Sequence, residues 1–148
     1  MKELWLVLTN PYAYQKALHG AIKEVRQAQS ASIQVVYVVF LIDAQTIDNM
    51  VRDLCDRGWL GASSLHSLES SMLEGYRALA QDVLQEVCQE FEVSSIEQVE
   101  TFVTYASLRE YVEELLAKQE RQIMVSYGGA MQPWMATYQN RAHFIEEG

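Results

Sequence analysis

Apolar positions along this chain follow two alternating rhythms, continuous runs of strand length and stripes spaced by three and four. Leu4-Trp5-Leu6-Val7-Leu8 is an unbroken apolar run that stops at Thr9-Asn10-Pro11, where a turn and a helix N-cap with proline in the first turn are expected. From Tyr12 to about Gln29 the residues Ala17, Leu18, Ala21, Ile22 and Val25 form one face of an amphipathic helix. Ile33–Ile42 is rich in β-branched and aromatic residues and reads as a central, buried strand. Thr46 is placed to cap a short helix through Ile47, Met50, Val51 and Leu54 that ends at Gly58, and Gly58–Ser64 reads as a loop.

The second half repeats the alternation. Leu65, Leu68, Met72, Tyr76, Leu79, Val83, Val87 and Phe91 keep helical spacing and give the longest helix. Val99–Thr104 is the next strand, Ser107-Leu108-Arg109-Glu110 is a capping box opening a helix with Val112, Leu115 and Leu116, and Gln122–Tyr127 is a strand closed by Gly128-Gly129. Strands alternating with helices require parallel pairing with helical crossovers, which predicts one α/β doubly wound parallel sheet over residues 1–129. Residues 130–148 form a C-terminal tail in which Met131, Trp134, Met135 and Tyr138 share one face of a short amphipathic helix begun by Pro133.

Composition narrows the function classes. A chain of 148 residues buries a core of its own without disulfide or metal. Its net charge of -9, from 11 basic against 20 acidic residues, opposes a nucleic-acid partner. Cys55 and Cys88 lie far apart with no histidine at ligand spacing, so both read as buried small hydrophobes and no metal is expected. No stretch has the pattern of a signal or membrane helix, which places the expectation in the cytoplasm without membrane insertion.

Candidate chemistry is sparse. His19, His66 and His143 are separated and read as surface or satisfied histidines, and Ser126-Tyr127 at a strand end has no recognisable base. Glu113-Glu114 and Glu146-Glu147 read as solvated charge. With no nucleophile elbow, metal pair or Walker loop, no enzymatic activity is expected.

The segments Leu6–Leu18, Val35–Asp43, Arg57-Gly58-Trp59-Leu60-Gly61 and Val99–Gly129 together resemble the universal stress protein family. The resemblance implies a flavodoxin-like three-layer sandwich of strand order 3-2-1-4-5. Residues 130–148 look too few for a further helix and fifth strand, so four main strands in the order 3-2-1-4 are expected, and any homodimer would not use the family's fifth strand.

Family members that bind ATP do so between the first and fourth strands, with an acidic residue ending the first strand and a glycine loop closed by a later Gly-Ser or Gly-Thr. In this chain Thr9 stands at the acidic position, Met131 at the second glycine, Arg141-Ala142 at the later pair and Ala106 at the glycine after the third strand. A phosphate cradle needs backbone N–H groups free of side chains, which methionine obstructs.

The leading expectation is therefore a regulatory or protein-interaction module without a cofactor, a subunit or accessory factor of a larger complex. It would dock on a protein with a basic or mixed surface through Trp59, Leu60, Met131, Trp134, Met135 and Tyr138. Trp59 sits between glycines in its loop, open to two roles, lid over the sheet edge or interface anchor. The tail either folds over the fourth strand's edge or offers its apolar face to that partner. The alternative is an adenine-nucleotide sensor holding ATP or AMP through Thr9, Leu41, Gly128 and Gly129.

Overall fold

A computed structural model describes residues 3–27, 33, 35–43, 47–49, 51–53, 65–118, 121–129 and 131–147. Its elements are β1 (Glu3–Leu8), α1 (Gln15–Gln27), β2 (Val35–Ile42), α2 (Leu65–Val93), β3 (Val99–Tyr105), α3 (Leu108–Leu116), β4 (Arg121–Tyr127), α4 (Pro133–Thr137) and β5 (Ala142–Glu146). Residues 47–49 and 51–53 are also helical. The five strands form a single parallel sheet in the order β3-β2-β1-β4-β5.

Period-two alternation sends the two sides of each strand into two cores. Leu4, Leu6, Leu8, Val36, Val38, Phe40, Ile42 and Met124 pack under α1 and α2 against Ala17, Ala21, Val83, Val87 and Phe91. Val7, Leu41, Ile123 and Val125 pack on the opposite face beneath Val112, Leu115 and Leu116 of α3. Because β1, β2 and β4 are covered on both faces, they read as continuous apolar runs.

The fifth strand corrects the expected four. Among the described residues, the crossing from β4 to β5 holds the single-turn α4 and a tight turn in which Arg141 and Ala142 both donate backbone N–H groups to the Tyr138 carbonyl at 2.9 Å. β5 then pairs with β4 from Ile123 opposite Ala142 to Tyr127 opposite Glu146. A crossover of about a dozen residues suffices for a parallel connection, so no long helix is needed. The tail thus covers the β4 edge, and Met135 is buried at 2% exposure.

The start of α1 is a second correction. Asn10 does not cap it, because its Oδ1 accepts the Tyr12 backbone N–H at 2.9 Å in a local turn, and the helix begins only at Gln15. Its first N–H groups are met instead by Glu147, expected as solvated but only 8% exposed. Glu147 Oε1 accepts from Ala17 N at 2.7 Å and Oε2 from Lys16 N at 3.2 Å. The capping serine of α3 is as expected, with Ser107 Oγ accepting the Glu110 N–H at 3.3 Å.

Candidate functional site

The carboxyl ends of β1, β2 and β4 open into a crevice of about 500 Å³. β1 and β4 lie side by side there although their crossovers leave in opposite directions, which is the switch point where open α/β sheets place ligands. Thr9 follows β1 and donates its hydroxyl to the Ser126 carbonyl at 3.1 Å, tying the two strand ends together. Leu41, Ile42 and Asp43 come from the end of β2, and Tyr127 and Gly128 from the end of β4.

Tertiary packing supplies the remaining walls. Ile47, Tyr76 of α2, Leu108 of α3, and Gln132 and Met135 of the tail all line the crevice. Tyr76 leans toward Phe40 with ring centroids 6.3 Å apart, and burial, followed by the neighbouring Tyr12, pushes its phenol pKa up. Gln132 Oε1 accepts the Trp134 indole N–H at 2.7 Å, which fixes the lip. Among the described lining residues the one carboxylate is Asp43, and none is Lys, Arg or His. The walls combine aliphatic side chains, tyrosines and uncharged hydrogen-bonding groups.

Of the nucleotide-contact residues expected from sequence, Thr9, Leu41 and Gly128 line this crevice and Gly129 does not. Gly129 has φ 80°, the left-handed conformation that glycine favours at a turn. Gly128 has a conventional φ, and a Cβ added to it would meet none of the described residues within 4 Å. Packing among the described residues therefore does not demand a glycine at 128.

The tail residues expected to face a partner have separate roles. Met135 is a crevice wall, and Trp134 and Tyr138 are half-buried against the α3 core. Trp134 meets Phe144 edge-on at 5.7 Å, and the Tyr138 hydroxyl donates to Glu113 Oε2 at 2.6 Å. Glu113 is therefore engaged in the fold, whereas Met131 is exposed. Trp59 and Leu60 lie outside the described residues, as does Cys55.

Cys88 is half-buried rather than buried, and burial, with Glu92 beside it, pushes its thiol pKa up. His19 and His143 are exposed, and the described residues contain no group of three His, Cys, Asp or Glu able to hold a metal. No described helix is long and apolar enough to cross a membrane.

Sequence reasoning missed Asn10, Tyr12, Ile42, Asp43, Ile47, Tyr76, Leu108 and Gln132 as wall residues. Asn10, Tyr12, Ile42 and Asp43 carried a signal, their place at or just after the end of a β-strand. No family model, curated protein or solved structure matches this chain.

Proposed function

We propose that this chain is a non-enzymatic regulatory module that binds a small planar molecule of the adenine nucleoside or monophosphate class at the switch point. The supporting observation is the crevice of about 500 Å³, a size suited to such a ligand, at which Thr9, Leu41 and Gly128 converge. Tyrosines and aliphatic side chains suit a flat base, and main-chain groups at Leu41 and Gly128 suit its polar edge. The absence of a basic residue among the described lining residues disfavours a triphosphate, whose charge would go unmatched beside Asp43. Thr9, Asn10 and Gln132 are occupied in holding the walls, on Ser126, Tyr12 and Trp134, which suits binding better than bond-making.

Thermal unfolding with adenosine, AMP and ATP tests this reading. Ligand at about a hundred times its dissociation constant adds about 2.7 kcal/mol, a rise of several degrees. Adenosine should raise the midpoint most, AMP less and ATP least, in the order of their unmatched charge. Equal midpoints with all three and with buffer would sink the proposal, leaving a protein-docking role to be pursued by capturing partners.

A further inference from the structure

The β3 edge of the sheet has different chemistry from the crevice. β3 ends the strand order, and its outer side pairs with nothing among the described residues. Gln98 O accepts from Val36 N at 2.9 Å and Ala106 N donates to Ile42 O at 3.2 Å, so the even-numbered backbone groups face β2. Along an extended strand the direction alternates, so Thr101, Val103 and Tyr105 turn their N–H and C=O groups outward, as Val99 turns its C=O, while the Val99 N–H donates to Glu97 O at 3.1 Å.

Edge strands are ordinarily blunted by proline, bulges or several charges. β3 carries only Glu100 as a charge, with Phe102 41% and Tyr105 46% exposed. Phe102 is the outermost ring of an aromatic cluster. Its centroid lies 6.4 Å from Trp5 and 6.0 Å from Tyr37, which themselves stack at 4.5 Å. Trp5 is held from beneath, with its indole N–H on Glu3 at 3.0 Å and the Arg121 guanidinium 4.9 Å from its ring.

We propose that this edge is a self-association surface on which a second copy of the chain pairs β3 with β3, antiparallel about a two-fold axis through Phe102. This register uses Thr101, Val103 and Tyr105 through both backbone groups and Val99 through its carbonyl. Thr101 faces Val103 at a hydrogen-bonded position with both backbone groups directed outward, and Val99 faces Tyr105 at the next, where the Val99 carbonyl is placed to accept the Tyr105 N–H. Phe102 faces its own copy at the non-hydrogen-bonded position, where side chains approach most closely. Glu100 faces Thr104, so its carboxylate meets a hydroxyl rather than a second carboxylate, and no like charges oppose one another across the axis. Self-complementarity of this kind is what an isologous interface requires. The two aromatic clusters become continuous, and the sheet extends to ten strands through β3, not β5. This proposal is independent of the ligand reading.

Sedimentation velocity across a micromolar concentration series reads the outcome. The wild-type chain should pass from monomer to dimer, and higher salt should favour the dimer because each copy carries a net charge of -9. Phe102→Lys sets like charges on the axis, and Val103→Pro removes an outward N–H that an edge strand does not need internally. Each should leave a folded monomer by circular dichroism. His143→Lys, on the β5 edge, should leave the dimer intact. Phe102→Cys under mild oxidation should give a disulfide-linked dimer that the wild-type protein does not form. A wild-type chain that stays monomeric, a dimer that survives both β3 substitutions, a dimer lost through His143→Lys, or no cross-link in the Phe102→Cys variant would each overturn the proposal.

Discussion

Glu147 Oε1 accepts the backbone N–H of Ala17 at 2.7 Å, so the end of the chain caps the first helix of the fold. Glu147 also donates its own backbone N–H to the Tyr127 carbonyl at 2.9 Å, continuing the register of β4 with β5. One residue thereby locks an edge strand to β4 and satisfies donors of α1 that have no partner within the helix.

Replacing this carboxylate should weaken the fold measurably. Glu147→Ala should cost about 1–2 kcal/mol, the usual value of a lost cap with a charge-assisted bond. Glu147→Gln, which keeps an acceptor and loses the charge, should cost less. Urea unfolding checks the order, with Glu146→Ala on the exposed neighbour expected to change stability by less than about 0.5 kcal/mol.

Tyr14 gives the fold a limit at high pH. Its ring is buried and its hydroxyl donates to Glu86 Oε2; burial first, then the Glu86 hydrogen bond and charge, push the phenol pKa well above 10. The native state therefore holds this proton more tightly than the unfolded chain. The associated stability is fully present below about pH 10, the unfolded tyrosine value, and is lost as pH rises toward the folded value. Unfolding midpoints measured from neutral to strongly alkaline pH should fall across that window, and Tyr14→Phe should flatten the fall. At neutral pH the same substitution should cost about 1 kcal/mol, since Glu86 is exposed and regains water.

How far the fold was legible follows from where each element's information lies. β1, β2 and β4 declare themselves because strands buried on both faces need unbroken apolar runs. β5, Ala-His-Phe-Ile-Glu, is an edge strand with exposed His143 and Glu146, and its short alternation carries little signal. The expectation of a full helix between β4 and a fifth strand hides it further, since one turn suffices for the crossing. Thr9, Leu41 and Gly128 are accessible from sequence because they stand at the ends of readable strands. Tyr76 and Gln132 reach the same crevice only through folding, and nothing local marks Glu147 as a cap for a residue 130 positions away.

Within the proposed adenosine site, Gly128 offers a way to separate binding from folding. A methyl at this position meets none of the described residues and the backbone is not in the left-handed region, so Gly128→Ala should change stability by no more than about 1 kcal/mol, on the stabilising side. The methyl would stand at the crevice lip, where a base approaching the main chain needs room. Adenosine should therefore lose affinity for the Gly128→Ala variant at least tenfold by calorimetry. Gly129→Ala should instead lower stability by about 1 kcal/mol through its φ of 80°, with affinity nearly unchanged.

Met135 joins the tail to the crevice, and truncating it should reveal both roles. The side chain is 2% exposed and also forms part of the crevice wall. Met135→Ala removes the bulk of a buried side chain and should cost about 2–3 kcal/mol, toward the lower end for a buried methionine because it adjoins an open crevice. The deleted volume adds to the crevice rather than creating a closed void. A ligand with a bulkier substituent than adenosine should accordingly gain affinity relative to adenosine in this variant. Denaturation midpoints measure the first effect and a paired titration of adenosine and N6-benzyladenosine the second; a stability loss with no change in that affinity ratio would show that Met135 supports the fold without shaping the site.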